Sequence, residues 1–525
     1  MRYARTPLMR ALQRAYHQLL ISRRSGIPPD EVVEIQAASI TRRSFVRTTA
    51  SAAALTALSG SAFLASCGKK DMPTVAIVGA GIAGLYAAYI LRNAGITAQI
   101  YEASNRTGGR ILTARNLMGV GTHTELGGEF IDSTHTDMLR LADDFNLTRI
   151  DTQTPEEQKL TPAVFFIGNR VYSDREILDL LAPFVPRIQS DIDKFSEEIN
   201  YQSFSEHDQQ LDRTSLAAYL EMIGVSGSLY KLLDVAYTTE YGLDIADQSC
   251  INFLMLINPD MHDRFKYSGY SDERYKIMGG NQSITESLSD LLEGQVHTDK
   301  TLVSITELKE GDKVQLDFTS HGGGSETVVA DFAIITIPFT VLRDVDIRYP
   351  MSEAKRMAIA ELGYGQNAKF FIGMQKKVWR EHGATGFMFS DSVVQNAWDH
   401  TQLQNGQGAG FTVFTGGAAS KVMGDLDDKA FANLCLPVLD QVFPGMAAAA
   451  TETRSRFFWP TYAHTRASYV CFKPGQYTSF EGAQSKREGR LLFAGEHCSF
   501  EFQGFMNGAA STGREAAEQI IMSVA

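Results

Sequence analysis

Residues 75–110 read VAIVGAGIAGLYAAYILRNAGITAQIYEASNRTGGR, and this stretch decides the fold. Its first four residues are apolar and mostly β-branched, which predicts a buried parallel strand. Gly79, Gly81 and Gly84 follow in the G-x-G-x-x-G spacing. In that spacing the first glycine permits a tight turn and the second lets the backbone approach a pyrophosphate. The third lets a helix pack closely on the sheet, so a nucleotide-binding turn is predicted here.

A helix and a second strand follow the glycine turn. Residues 82–94 have helical spacing without proline, and residues 98–101 form a short strand pattern. Glu102 ends that strand, 18 residues after Gly84. From this position an acidic side chain accepts hydrogen bonds from a ribose. Strand, glycines, helix, strand and acid together predict a dinucleotide-binding βαβ unit.

A second glycine pair with flanking cations extends the unit. Arg106, Gly108, Gly109 and Arg110 come directly after the acid. Two glycines open the backbone, and an arginine can hold a diphosphate with two parallel hydrogen bonds. With this extension the chain resembles the flavin-containing amine oxidase family, which includes monoamine oxidases, polyamine oxidases and L-amino acid oxidases. The resemblance runs from about Thr74 to the C-terminus.

The resemblance implies an α/β fold. A Rossmann-type FAD-binding domain, similar to that of glutathione reductase, is expected in three discontinuous segments, with a substrate domain of antiparallel sheet and helices. The predicted boundaries are 1–73 for a signal and linker, 74–130, 275–338 and 489–525 for the FAD-binding segments, 131–274 for a mainly helical part of the substrate domain, and 339–488 for its sheet.

Apolar spacing predicts the elements inside these segments. Helices are predicted over residues 137–145, 177–200, 215–223 and 227–237. One antiparallel sheet is predicted from strands 370–374, 385–389, 396–398 and 411–415. Residues 296–305 predict a single strand near the adenine end of the cofactor, with Leu302 and Val303 in contact with it.

The resemblance also implies the FAD contacts. Gly127, Gly128 and Glu129 are expected beside the flavin ring, Glu496 at the ribityl chain, and the backbone N–H of Met506 at the pyrimidine edge. The expected cofactor-binding residues are Gly79, Gly81, Ile82, Ala83, Gly84, Glu102, Ala103, Arg106, Gly109, Arg110, Gly127, Gly128, Glu129, Leu302, Val303, Gly495, Glu496, Met506 and Ala509.

Four residues are expected to carry the chemistry. Lys369 lies ten residues before Trp379, a spacing at which the family keeps a lysine bridged by water to flavin N5. Trp459 and Tyr469, also ten apart, match a tryptophan and the first tyrosine of an aromatic cage, and Phe505 takes the second cage position. In monoamine oxidases the cysteine that bonds FAD comes just before that tyrosine.

The position of the bonding cysteine is Ser468, which predicts noncovalent FAD. The expected reaction is oxidation of a C–N bond: a neutral amine gives a hydride equivalent to the flavin, water hydrolyses the imine, and oxygen reoxidises the flavin. No side chain is an obvious general base, and no metal site is indicated because the cysteines lack ligand spacing.

The substrate stays open between amines and amino acids. Asp132 falls where polyamine oxidases carry a glutamate that meets the substrate amine, and no arginine occurs between Gly127 and Thr136 to hold a carboxylate. An L-amino acid oxidase would need such an arginine elsewhere, and Arg466 is one candidate. The resemblance is also compatible with an amino-acid 2-monooxygenase, and with a non-catalytic protein that binds FAD for stability.

Composition and the N-terminal region restrict partners and location. The net charge of −12 argues against nucleic acid and favours a cationic substrate. Residues 41–47, TRRSFVR, have the twin-arginine form, and residues 64–67, LASC, resemble a lipoprotein cleavage box. These motifs predict twin-arginine export to the periplasm, with an acyl anchor on Cys67 in place of a membrane-spanning helix. Nothing in the sequence indicates an oligomeric state.

Overall fold

The nucleotide-binding turn follows the central strand of a five-stranded parallel sheet in the computed structural model, which describes residues 72–257, 271–309 and 312–524. Each of the three predicted FAD-binding segments contributes strands to this sheet. In spatial order the strands are Leu491–Phe493, Phe332–Ile335, Val75–Val78, Ala98–Tyr101 and Val296–His297. The discontinuous Rossmann-type fold is confirmed, and the sheet brings distant parts of the chain to one site.

Helices cover this sheet. The helix Ile82–Asn93 follows the glycine turn, and the C-terminal helix Met506–Val524 packs against it. Small side chains permit the contact: a Cβ on Gly513 would lie 2.2 Å from the carbonyl oxygen of Ala83. Helix Gln282–Leu291 also packs against helix Ile82–Asn93. Three helices from distant segments therefore pack together beside the glycine turn.

The predicted single strand over residues 296–305 is wrong. Val296–His297 joins the parallel sheet, whereas Thr301–Leu308 belongs to a separate four-stranded sheet with Lys313–Thr319, Ser325–Ala330 and Asp346–Arg348. The chain turns between the two strands, because Asp299 has a φ of 59° and the amide of Lys300 donates to the carbonyl of Glu102. Lys313–Thr319 and Ser325–Ala330 form a hairpin around the glycine-rich turn at 322–324.

The substrate sheet has seven strands, and the four strands predicted for it pair antiparallel with one another, as expected. Its order is Ala450–Phe458, Ala368–Met374, Ala409–Thr415, Asn396–Asp399, Met388–Ser390, Val164–Ile167 and Arg170–Tyr172. Met388–Ser390 pairs in parallel with Val164–Ile167. The predicted helical region therefore supplies two strands of this sheet. Two short antiparallel pairs, Thr113–Arg115 with His123–Glu125 and Arg149–Asp151 with Tyr275–Ile277, complete the described strands.

The predicted helix over 177–200 is two shorter helices, Asp174–Leu181 and Val185–Ile192. Pro183 and Pro186 explain the break, since proline removes a backbone donor and restricts the preceding residue. The other described helices are Thr136–Asp144, Glu206–Asp212, Leu216–Met222, Gly227–Tyr241, Cys250–Leu256, Phe339–Leu342, Glu353–Glu361, Val378–Glu381, Gly417–Asp425, Asp428–Val442, Met446–Ala449 and Gln476–Phe480, with 3-10 turns Glu157–Lys159, Trp459–Thr461 and Glu496–Cys498.

The predicted export motifs lie outside the described residues. Residues 73–525 form one compact unit. Within the described part of the chain, no helix combines the length and the apolar character needed to cross a membrane.

Candidate active site

The glycine turn has the shape that a dinucleotide requires. Gly79 has a φ of 104°, and a Cβ on Gly84 would lie 2.0 Å from the carbonyl oxygen of Gly79, so these two glycines are needed for the turn and for helix packing. A Cβ on Gly81 would meet only Gly109 Cα, at 4.0 Å, and would fill open space at the start of helix Ile82–Asn93. That space and the helix N-terminus fit a pyrophosphate.

Acidic and basic residues surround this turn. The carboxylate of Glu102 accepts hydrogen bonds from the amide of Ala80 at 2.8 Å and from the amide and hydroxyl of Ser104. Arg106 donates from Nε to the Tyr462 hydroxyl at 3.2 Å and from Nη2 to the Gly109 carbonyl at 2.7 Å. The Gly108 amide donates to the Ala80 carbonyl at 2.8 Å, which holds the second glycine pair against the first glycine turn; the roles of these residues toward FAD stay predictions.

Arg110 and Glu496 join the first FAD-binding segment to the last. Arg110 Nη1 lies 2.8 Å from Glu496 Oε1 and donates to the Ser468 carbonyl at 2.6 Å. The other oxygen of Glu496 accepts from the amides of Val470 and Gly504. Glu496 is therefore buried and ionically paired, which the sequence did not indicate, and its predicted contact with the ribityl chain stays a prediction.

The turn Gly127–Gly128 is fixed by its protein neighbours. A Cβ on Gly127 would lie 1.8 Å from the Arg110 carbonyl oxygen and 3.1 Å from the ring of Trp459, and one on Gly128 would lie 2.7 Å from the Met506 side chain. The indole N–H of Trp459 donates to the Leu126 carbonyl at 2.9 Å. Glycine is required here for packing alone, and the expected closeness to the flavin stays a prediction.

Lys369 lies buried beside this turn. From strand Ala368–Met374 its Nζ donates to the carbonyls of Glu125 at 3.0 Å and Gly127 at 2.9 Å, and to Glu129 Oε2 at 2.9 Å. An ammonium has three N–H donors, so these acceptors use all of them. The water bridge to the flavin that the resemblance implies would require Lys369 to replace one of these three hydrogen bonds by a bond to water. The positive charge of the ammonium, in contrast, can stabilise a nearby negative charge while all three bonds are kept.

Glu129 is the centre of a buried charge network, defined as Glu129, Lys276 and Lys369. Its second oxygen accepts from the indole N–H of Trp398 at 3.0 Å and lies 3.6 Å from Lys276 Nζ. Burial by itself would raise the pKa of Glu129, but the charges of Lys369 and Lys276 outweigh burial and hold the pKa below its usual range. Glu129 is therefore an anion.

Tyr469 lies next to the segment that carries Phe505. The Tyr469 hydroxyl donates to the Thr239 carbonyl at 3.2 Å, and its ring lies next to Gly504. The ring of Phe505 contacts the ring of His135 with centroids 5.0 Å apart. Burial raises the pKa of Tyr469, with a further increase from the charge of Glu240. The Tyr469 phenol is therefore neutral, and its cage role with Phe505 stays a prediction.

Three carboxylates form an acidic cluster, defined as Asp132, Glu240 and Glu273. Burial raises their pKa values to about 6, about 7 and about 8. The charge of Asp132 adds to the shift of both glutamates. Asp132 accepts from the Ser271 hydroxyl and the Glu273 amide, each at 3.0 Å. No lysine or arginine among the described residues forms an ion pair with any of these three groups, and the His135 imidazole, 3.4 Å from Asp132, is neutral because burial lowers its pKa to about 3.

Ser468 and Cys471 bear on how FAD is held. The Ser468 hydroxyl donates to Asn367 Oδ1 at 2.6 Å, and a hydroxyl cannot form a thioether. Cys471 is fully buried, and burial raises the pKa of its thiol, so its reactive thiolate form is disfavoured. Both observations support noncovalent binding.

The remaining predicted cofactor residues fall into two groups. Val303 lies at a bulge, with its side chain 37% exposed, on the same strand as the buried Leu302. The others lie around the parallel sheet: Ile82 and Ala83 in the first helix, Ala103 after the second strand, Gly495 after Leu491–Phe493 and Ala509 in the C-terminal helix.

Arg466 is wrong as a carboxylate-binding candidate. It forms an ion pair with Asp344, and its side chain is 49% exposed at the protein surface. Sequence reasoning also missed Lys276, Glu240 and Glu273. A charged residue within a strand or helix was the only local signal for Lys276 and Glu240, as in YKI at 275–277, and Glu273 lies in the charged run SDER, where nothing marks it.

The chain is similar to known proteins in sequence and in fold. The family model for flavin containing amine oxidoreductase matches residues 82–521. An L-amino-acid oxidase from Protobothrops flavoviridis is 23% identical over 455 residues, which cover 85% of this chain and 88% of that protein. The flavin-containing amine oxidase B of Canis lupus familiaris is 22% identical over 472 residues, which cover 86% of each chain.

A solved structure has the same fold. Cyclohexylamine oxidase from Brevibacterium oxydans IH-35A superposes with a TM-score of 0.74 at 19% identity. The match covers 86% of this chain and 99% of that one. The two chains therefore share their fold.

Proposed function

The chain belongs to the flavin-containing amine oxidoreductase family, and we propose that it oxidises the C–N bond of a primary or secondary amine to an imine. In this reaction a C–H bond of the substrate breaks as the C=N bond forms, with loss of two electrons and two protons. When bound, FAD supplies the electron acceptor, and oxygen finally takes the electrons and protons as hydrogen peroxide. Water then hydrolyses the imine to a carbonyl compound.

The position of Lys369 carries the proposal. Its buried ammonium is hydrogen bonded to the Gly127 carbonyl, and the same turn touches Trp459 and Met506. Residues expected at the flavin from three distant segments therefore meet at one place. A fixed positive charge at that place would stabilise negative charge that develops during the reaction.

The acidic cluster favours an amine over an amino acid. Each cationic side chain described around the site already has an acidic or carbonyl partner: Lys276 and Lys369 pair with Glu129, Arg110 with Glu496, and Arg274 with Asp151. A substrate carboxylate next to Asp132, Glu240 and Glu273 would be repelled once these groups ionise, and no described lysine or arginine forms an ion pair with any of the three. A substrate ammonium would be attracted to the same carboxylates once they ionise.

The test is flavin reduction without oxygen, followed by product analysis. Purified yellow protein would be mixed anaerobically with alkylamines, with aralkylamines and with L-amino acids. We expect amines to bleach the flavin, and the aerobic reaction to release hydrogen peroxide and a carbonyl product. Bleaching by L-amino acids alone would replace the proposal by L-amino acid oxidation.

Two further outcomes would point to different functions. An amide product formed with oxygen uptake would indicate amino-acid 2-monooxygenation. No bleaching by either class, with FAD fully bound, would indicate a protein in which FAD has no catalytic use.

We propose that the protein acts outside the cytoplasm as a lipid-anchored enzyme. The twin-arginine motif at 41–47 and the LASC sequence at 64–67 support this location. Twin-arginine export carries folded proteins, which suits a protein that binds FAD before it crosses the membrane.

A further inference from the structure

Lys276 is a second buried ammonium at the active site. It lies in strand Tyr275–Ile277 with its side chain 1% exposed. Its Nζ donates to the His400 carbonyl at 3.1 Å and lies 3.6 Å from Glu129 Oε1. The other oxygen of that carboxylate holds Lys369 at 2.9 Å. One carboxylate therefore links two lysines that come from different sheets.

The surrounding groups do not neutralise the second lysine. Burial lowers the pKa of His400 to about 3 and that of His123 to about 4, so both imidazoles are neutral. Burial raises the pKa of Glu125 to about 7, so this carboxyl is largely protonated near pH 6. Two ammonium groups and the single carboxylate of Glu129 then leave one positive charge. A buried uncompensated charge is costly and is found mainly where function uses it.

We propose that Lys276 is a second cation of the active site, coupled to Lys369 through Glu129, and that its charge keeps the buried charge network positive beside the predicted flavin site. With Lys369 alone, Glu129 would cancel the ammonium and the network would be neutral. Lys276 restores the positive charge that would stabilise the negative charge gained by a bound flavin on reduction. The proposal rests on the proposed function, because it assumes that FAD occupies this site.

The reduction potential of bound FAD tests the proposal without any amine. It would be measured at about pH 6 by reductive titration against a reference dye. Lys276→Gln keeps a donor for the His400 carbonyl but removes the charge. We expect the potential to become more negative, and flavin reduction by an amine to slow by about tenfold. Lys276→Arg should keep the wild-type potential.

Two further variants separate charge from structure. Lys276→Gln combined with Glu129→Gln removes one charge of each sign, so the potential should return toward the wild-type value. Lys355 is equally buried, and its Nζ donates to the Gln484 carbonyl at 2.7 Å, remote from Glu129 in its contacts. Lys355→Gln should leave the potential unchanged.

The contradicting results are specific. A wild-type potential in Lys276→Gln, or an equal shift in Lys355→Gln, would overturn the proposal. Loss of FAD from Lys276→Gln would also count against it, because a neutral donor should preserve the site. If amines fail to reduce wild-type FAD while the potentials shift as expected, the proposed function fails and the charge assignment stands.

Discussion

Lys369 and Glu129 form a buried ion pair, with Nζ 2.9 Å from Oε2 and both side chains less than a tenth exposed. The two residues lie 240 positions apart in the sequence. The pair joins the substrate sheet to the turn that follows the nucleotide-binding unit. The ion pair and the two hydrogen bonds to backbone carbonyls hold the Lys369 side chain in one conformation, in which all three N–H donors of its ammonium are used.

Loss of the carboxylate should destabilise the protein. Glu129→Gln leaves two buried ammonium groups without an anion, and removing one partner of a buried pair costs about 3–5 kcal/mol. Denaturant unfolding of the holoprotein would measure this loss. Glu326→Gln is the control, because Glu326 pairs with Lys300 at a partly exposed site, where a pair is worth about 0–1 kcal/mol. Equal losses of unfolding free energy in the two variants would show that the buried ion pair of Glu129 contributes no more than the partly exposed pair of Glu326.

FAD should be released by denaturation. Ser468 cannot form a thioether, and Cys471 is buried with its sulfur next to the Asn252 amide at 3.6 Å. Acid precipitation should therefore move all the yellow colour into the supernatant. If the yellow colour stayed in the pellet, and the flavin remained attached to a single peptide after proteolysis, FAD would be covalently bound.

The inhibition of the enzyme by a permanent cation should depend on pH. The raised pKa values of the acidic cluster, about 6 for Asp132, about 7 for Glu240 and about 8 for Glu273, mean that these groups become anionic as pH rises. A quaternary alkylammonium does not titrate, so its inhibition constant should fall by about tenfold between pH 6 and pH 9. Glu240→Gln should flatten that profile. A wild-type inhibition constant that does not change with pH would show that the acidic cluster is not part of the substrate site.

The same shifts predict an effect on stability. The folded-state pKa of Glu240 lies above its unfolded value, so the folded protein loses stability as pH rises between the two values, and the loss is complete above about pH 7. Glu240→Gln should therefore raise the melting temperature of the holoprotein at pH 8.5 and leave it nearly unchanged at pH 4. A variant less stable than wild type at pH 8.5 would show that the ionised carboxylate has a stabilising partner.

Local sequence signals predicted the nucleotide-binding unit well. The strands Val75–Val78 and Ala98–Tyr101 and the helix Ile82–Asn93 are in their predicted places. Each is specified by neighbouring residues: β-branched runs, helical spacing and glycines at a turn. Sheet membership was harder, because Met388–Ser390 pairs with Val164–Ile167 across more than 200 residues. Nothing within either strand encodes that partner.

Predictions for the site were limited in the same way. The position of Lys369 followed from its spacing to Trp379, but its partner Glu129 depends on the packing of two separate segments. Lys276 and Glu240 lie within apolar elements, where a lone charge has no local pattern that marks it as functional. Coulomb interactions act through space, so these groups were found only once the chain was folded.

Export should depend on the N-terminal motifs. Replacement of Arg42 and Arg43 by lysine should keep the protein in the cytoplasm, because the twin-arginine pair is the recognition element. Cys67→Ala should abolish acyl labelling and release the protein from the membrane fraction. Membrane fractionation and labelled-palmitate incorporation would report both effects. Wild-type distribution of both variants would exclude this route.

The most direct test of the account is the reductive half-reaction of Lys369→Met. FAD should still bind, because the glycine turn, Glu102 and Arg110 are unchanged. Anaerobic stopped-flow mixing with an amine that reduces the wild type should show flavin reduction or, after oxygen is added, reoxidation slowed by about 10²-fold, the scale for one preorganised charge. If both rates equal those of the wild type with FAD fully bound, Lys369 is an ordinary strand residue, and the active site has been assigned to the wrong place.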